Sequence, residues 1–184
     1  MRCFIAINAN SDKLVSLTEE LKNIDRGVKS VFHENLHITL KFLGEISEEQ
    51  IKNIKTVMEE SVKSLKSFRY FIKGTGTLPS KTYIRVIYAD VADGKEKLIE
   101  IHSILENGLV KLGFEKDKRI FTPHITLARV KFSGARKHIL DFIEKHEKEE
   151  LGRINVTKIS LMKSTLKPSG PVYEPIEEIE LENL

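Results

Sequence analysis

The chain has 184 residues, 40% hydrophobic and 31% charged, which is enough for one well-cored domain and too few for two independent ones. Cys3 is its only cysteine, so internal disulfides and cysteine-based metal clusters are excluded, and no apolar run approaches the length of a membrane span. The net charge of +3 is uneven: Glu174, Glu177, Glu178, Glu180 and Glu182 crowd the last eleven residues without a base, leaving a basic body suited to a polyanion such as RNA, or simply to solvent.

The opening MRCFIAIN alternates as a strand does, and it lacks the extended apolar region and cleavage site of a signal peptide, so a cytoplasmic protein is expected. Residues 11 to 24 carry Leu14, Leu17, Leu21 and Ile24 at helical spacing behind Ser11 or Asp12 as cap. After a variable stretch, LHITLKFLGEI reads as a strand. Ser47 and Gln50 then form a capping-box signature for a helix with Ile51, Ile54, Met58, Val62 and Leu65 on one face. FRYFIKGTGTLPS and KTYIRVIYADV read as a hairpin-like pair of strands. Within the first of them, Lys73-Gly74-Thr75-Gly76-Thr77 lacks phosphate-loop spacing and reads as a turn or strand irregularity.

A second round begins at Asp93 and Gly94. Leu98, Ile101, Leu105, Leu109 and Leu112 form a helix stripe ending at Gly113. Residues 119 to 130 then read as a strand, 135 to 147 as a helix, and 153 to 162 and 171 to 181 as two strands split by KPSG. The repeated order of helix, strand, helix and two strands points to a duplication whose halves face each other across a pseudo-twofold axis. Lysine and glutamate dominate the composition and Gln50 is the single glutamine, a usage like that of hyperthermophile proteins.

Both rounds contain HITL, in NLHITLKFLG (35 to 44) and FTPHITLARV (121 to 130). Among six histidines, two followed by the same three residues have a chance on the order of 0.4%, so coincidence is the poorer explanation. On a strand His37 and Thr39 point one way and Ile38 and Leu40 the other, and His124 and Thr126 are separated from Ile125 and Leu127 in the same manner. If the twofold brings the two strands together, two imidazoles and two hydroxyls converge on one cleft. That set suits phosphate-ester chemistry, in which a base acts on the attacking oxygen and an acid on the leaving oxygen from the opposite side. The hydroxyls would donate to the non-bridging oxygens, and no metal or cofactor is required.

Two other readings compete. His33-Glu34-Asn35-Leu36-His37 matches H-E-x-x-H, a zinc-hydrolase pattern, but its second histidine enters a β-rich run where that pattern needs a helix through both ligands, and no third ligand is apparent. A non-catalytic RNA-binding module would use the basic body alone. His33, His102, His138 and His146 have no pairing like that of the two HITL histidines and are assigned no role; the last three sit in helical stretches and are read as surface or partly packed residues.

The chain resembles the 2H phosphoesterases, and within them the RNA 2′,3′-cyclic phosphodiesterases also called 2′-5′ RNA ligases. The resemblance rests on NLHITLKFLG and FTPHITLARV as that family's two H-x-T-x motifs, with MRCFIAI and ISLMKSTLKPSGPVYEPI like its terminal strands. It implies a single α/β (α+β) domain over 1–184, made of two interleaved lobes with one HITL each. Each lobe is then an antiparallel sheet with helices on its outer face, and a cleft lies between them. By the same resemblance, a terminal 2′,3′-cyclic phosphate is opened to a 2′-phosphate, with His37 as proton donor, His124 as proton acceptor, and Thr39 and Thr126 holding the phosphate. Ligation by a 5′-hydroxyl would use the same residues. The implied partner is RNA with cyclic phosphate ends, tRNA fragments included, acted on by a monomer without metal or membrane.

Four further residues are candidates for substrate binding. Arg129 is placed on the Thr126 face, to add charge beside the phosphate or to form a surface salt bridge, and Phe42 on the His37 face, to stack on a base or to pack in the core. Lys163 and Ser164, after ISLM, are candidates to reach the cleft, the alternative being an ordinary loop.

Overall fold

The computed structural model describes residues 1–184, with the side chain of Ser133 left aside. Nine strands and four α-helices alternate along it: β1 (Arg2–Asn8), α1 (Asp12–Lys22), β2 (Val28–Ser30), β3 (His37–Glu45), α2 (Glu48–Val62), β4 (Phe68–Pro79), β5 (Ile84–Asp93), α3 (Lys95–Lys111), β6 (His124–Val130), α4 (Arg136–Lys145), β7 (Glu150–Val156), β8 (Lys158–Lys167) and β9 (Gly170–Glu180). The result is a mixed α/β fold around a curled antiparallel sheet.

Local sequence accounts for the helix ends. Ser11 accepts from the Leu14 N–H at 3.2 Å to open α1, and the Gln50 side chain accepts from the Ser47 N–H at 2.9 Å to open α2. At the end of α3, Gly113 turns left-handed (φ 92°), so that its N–H reaches the Val110 carbonyl and the Phe114 N–H reaches the Leu109 carbonyl. Those two bonds are the Schellman arrangement, and only glycine adopts that φ without strain.

The sheet order is β7-β4-β5-β6-β3-β1-β8-β9, with β2 paired to β6. Its middle is narrow. β3 and β6 share a single registered pair, Ile38 with Ile125, whereas every other junction runs over several residues. The helices divide accordingly. α2 and α3 pack on each other, with α3 against β3 and α2 against β9, while α1 lies against β2, β6 and β7 and α4 against β4. Each helix that precedes a HITL strand therefore packs on the other half of the sheet, and the two rounds of the sequence are interleaved in space.

Three boundaries differ from the sequence expectation. Residues 28 to 30 form β2, a three-residue strand too short to carry a pattern. The strand expected over 119 to 130 begins only at His124, because the segment before it is held by side-chain contacts and Pro123 has no N–H for a ladder. The strand expected over 153 to 162 is two strands broken at Thr157, whose carbonyl accepts the Leu181 N–H at 2.8 Å. The glycine-rich stretch of β4 is a strand irregularity as expected, with a register shift between Ile72 and Thr75.

One apolar core draws on both halves, from Cys3, Ile5 and Ile7 of β1 to Ile159 and Leu161 of β8. Cys3 is buried as a free thiol. Among the described residues, no helix is long and apolar enough to cross a membrane.

Candidate active site

The one pair at the centre of the sheet decides what faces what. Ile38 and Ile125 are both fully buried in antiparallel register, so the residues on either side of them turn to the opposite face. Continuing the register by one residue sets His37 opposite Thr126 and Thr39 opposite His124. The two imidazoles then lie on a diagonal across the pair, near enough for the charge of His124 to bear on His37.

Both histidines are supported in the same way. The Nδ1–H of His37 donates to the Asn35 carbonyl at 2.5 Å, and the Nδ1–H of His124 donates to the Thr122 carbonyl at 2.8 Å. A carbonyl can only accept, so Nδ1 carries the proton in each ring and Nε2 is the atom left to exchange one. The Nε2 of His37 lies 2.9 Å from the Thr39 hydroxyl, which donates to it while the ring is neutral.

Their surroundings are unequal. His37 lies between Phe4 and Tyr173, with ring centroids 5.0 and 5.5 Å away, whereas His124 meets the edge of Tyr88 at 5.5 Å. Burial pushes the His37 imidazole below the usual histidine value. The bond to Asn35 opposes that shift, and the charges of Arg129 and His124 add to it. In the free protein His37 therefore favours its neutral form.

Phe42 and Arg129 both lie on the site's face, but strict alternation is the wrong reason. Each stands an odd number of residues after its histidine and would by alternation point into the core. A β-bulge corrects this in each strand. Leu40 is skipped between the pairs Ala6–Thr39 and Ile5–Lys41, and Leu127 is skipped between Tyr88–Thr126 and Ile87–Ala128. Leu40 and Lys41 are consecutively buried, as are Leu127 and Ala128, and the next residue swings back outward. Phe42 then stands 6.2 Å from the Phe4 ring with 64% of its surface exposed, and Arg129 bears electrostatically on His37 and Tyr173.

Lys163 and Ser164 belong to β8, not to a loop. Lys163 is registered with buried Cys3 and so points to the far side of the sheet from Phe4, whose partner is Met162; this removes Lys163 from the site. Ser164 pairs with Tyr173 and stays on the site's side. The zinc pattern loses its helix: His33–Asn35 is one turn of 3-10 helix, Leu36 is extended, and His37 opens β3. His138 is exposed as expected, but His102 and His146 are buried, each held by carboxylates: Glu106 and Asp117 for the first, Glu20 and Glu149 for the second.

Phe4, Tyr88, Tyr173 and Arg2 were missed. Phe4 and Arg2 were legible, since alternation in MRCFIAI sets both apart from Cys3 and Ile5, but the two tyrosines need the strand pairing. Tyr88 has its place because Gly76 faces it: a Cβ on Gly76 would stand 2.4 Å from the Tyr88 hydroxyl. Burial raises the hydroxyl pKa of both tyrosines, helped at Tyr88 by Asp90 and opposed at Tyr173 by Arg129 and Arg2, so both remain protonated donors.

Residues 3–181 match the family model described as the AKAP7 2′5′ RNA ligase-like domain. The chain belongs to the 2H phosphoesterases. A Methanocaldococcus jannaschii protein named RNA 2′,3′-cyclic phosphodiesterase is 39% identical over 181 residues, covering 97% of this chain and 99% of that one. A Methanothermobacter thermautotrophicus protein of the same name is 33% identical, with 98% and 99% covered. A crystal structure of a Thermus thermophilus protein superposes with a TM-score of 0.77 at 27% identity, covering 100% and 99%. Escherichia coli LigT complexed with 3′-AMP shares the fold at a TM-score of 0.75 and 22% identity, covering 98% and 97%. This 2H phosphoesterase is thus an enzyme of a cyclic phosphodiesterase family, and the fold expected from its sequence is the fold observed.

Proposed function

We propose that the protein opens the terminal 2′,3′-cyclic phosphate of RNA to a 2′-phosphate by two-histidine acid-base catalysis. The observation that carries this reading is the shared mode of support: two imidazoles on adjacent strands, each with Nδ1 spent on a backbone carbonyl and Nε2 left as the nitrogen that exchanges a proton, which in His37 accepts from the Thr39 hydroxyl until substrate displaces it. The relatives' shared name supplies the substrate class.

A water attacks phosphorus and gives its proton to the Nε2 of His124. The bond from phosphorus to O3′ breaks, and the Nε2 of protonated His37 delivers its proton to O3′, leaving a 3′-hydroxyl and a 2′-phosphate monoester. Thr39 and Thr126 donate to the non-bridging oxygens, where charge accumulates. Burial is the main influence that depresses His37, and the negative charge of the phosphodiester beside Arg129 offsets the smaller part due to that arginine, which favours the proton the acid needs. Replacing water by the 5′-hydroxyl of a second RNA gives a 2′-5′ linkage through the same proton transfers, and no nucleotide cofactor enters the balance.

The test is an oligoribonucleotide ending in a 2′,3′-cyclic phosphate, incubated in excess chelator and followed by phosphorus NMR. A 2′-monophosphate is the expected sole product. A 3′-monophosphate, binding without turnover, or activity lost to the chelator would each overturn the proposal.

A further inference from the structure

The two motifs diverge after their fourth letter: the bulge of β3 buries Lys41, where that of β6 buries Ala128. An ammonium 3% exposed requires partners, and Lys41 Nζ has four. It donates to Glu106 Oε1 and Oε2 at 3.1 and 3.0 Å, to Asp117 Oδ1 at 2.7 Å and to the Glu115 carbonyl at 2.8 Å. Glu106 Oε1 also accepts the Asp117 N–H at 2.7 Å. His102 Nε2 lies 3.4 Å from Asp117 Oδ2 and 3.5 Å from Glu106 Oε2, and its ring stacks on Phe121 at 4.2 Å and 8°. Burial alone would raise the Asp117 pKa, but its bonds to Lys41 and His102 outweigh that and hold it below the ordinary value.

The donor atoms of His102, Glu106 and Asp117 lie within 4.8 Å of one another, as metal ligands would. Lys41 Nζ already bonds to both carboxylates, so they serve as its counter-ions. What the cluster holds is chain. Glu115, Asp117 and Phe121 belong to the segment between α3 and β6, and the next residue after Phe121 is Thr122, whose carbonyl orients His124.

We propose that Lys41, with Glu106, Asp117 and His102, is a positioning device for His124: the residue that extends the first motif reaches through the core to fix the segment that sets the second motif's histidine. Lys41 touches no substrate and acts through Thr122. The arrangement runs one way only, since Ala128 offers no charge to the segment before His37, and it gives two identical motifs unequal support. The inference rests on the proposed reaction for its kinetic consequence, but not for its structural one.

The experiment compares the full-length protein with Asp117→Asn, which weakens the hold on the segment while leaving the Lys41–Glu106 pair, and with Lys41→Met. Turnover of a 2′,3′-cyclic nucleotide is measured together with the His Nδ1–H signals in nitrogen-edited NMR. We expect kcat to fall by about tenfold to a hundredfold, as small misplacements of catalytic groups do. KM should change little, and the His124 Nδ1–H signal should shift or broaden while that of His37 stays. Should Lys41→Met fail to fold, Asp117→Asn decides. An unmoved His124 signal in folded Asp117→Asn overturns the proposal, whether or not kcat falls. If the wild type shows no hydrolysis, the reaction assigned above fails, while the NMR comparison still decides the positioning role.

Discussion

Truncating the two histidines separately tests the site most directly, because their unequal packing makes the stability and activity effects separable. His124→Ala loses the edge contact with Tyr88, and His37→Ala loses its contacts with both Phe4 and Tyr173. At about 0.5–1.5 kcal/mol per aromatic contact, the first variant should lose about 1 kcal/mol of stability and the second about 1–3. For a chain of this size that corresponds to melting temperatures lower by about 2–4 °C per kcal/mol, leaving both variants folded at assay temperature. Turnover should fall much further. Loss of a proton-transfer group costs about 10²–10⁴-fold, or roughly 3–5 kcal/mol of barrier. If the two rings act as one machine, the double variant should lose little more than the worse single variant. Release of 2′-phosphate from a cyclic nucleotide, measured beside a thermal melt of the same sample, supplies both numbers. Either single variant turning over within about threefold of wild type while folded would refute the paired role, since a proton-transfer group contributes far more.

Arg129→Met removes one of the charges that depress His37, so the His37 pKa should rise and one limb of the pH profile of kcat/KM should move to higher pH. Movement of the alkaline limb marks His37 as the acid, movement of the acidic limb makes it the base, and a fixed profile would show that Arg129 does not act on it. Phe42→Ala should raise KM for an oligonucleotide by about tenfold to a hundredfold if a base stacks there, at about 1–3 kcal/mol per stack. Because Phe42 is 64% exposed, its melting temperature should hardly move. Ile38→Ala and Ile125→Ala should each cost about 2–5 kcal/mol, and the double variant should fall short of their sum because the two residues touch across the only registered pair between β3 and β6. Strict additivity in denaturant melts would show that this pair does not join the halves.

The core was legible because its stripes are periodic. Leu14, Leu17 and Leu21 of α1, and Ile54, Met58 and Val62 of α2, are buried where the spacing places them, and the capping residues stand where the helices begin. The bulges were not legible. Leu40–Lys41 and Leu127–Ala128 carry no local signal for an extra residue, and Phe42 and Arg129 reach the site only because β3 and β6 each hold one residue more than the partner strand opposite. His102 and His146 look like surface histidines because one of the two carboxylates that hold each, Asp117 and Glu20, lies outside its own helix, although Glu106 and Glu149 stand at helical spacing from them. The Lys163 misplacement has the same origin: after ISLM the chain continues as a strand, and pairing with Cys3 turns that side chain away from the site.

By itself the sequence determined that two His-x-Thr strands lie in one chain, that each exposes its histidine and threonine on one face, and that both belong to a repeated order of elements. Alternation and amphipathic periodicity are local properties, and they survive translation from letters to coordinates. Only the tertiary structure decided that Ile38 meets Ile125, that the helices cross over between the halves, and that Lys41 spans the core to the segment before His124. Each of these is a pairing between residues distant in the chain, set by which buried surfaces and charges complement each other, and no local pattern encodes it.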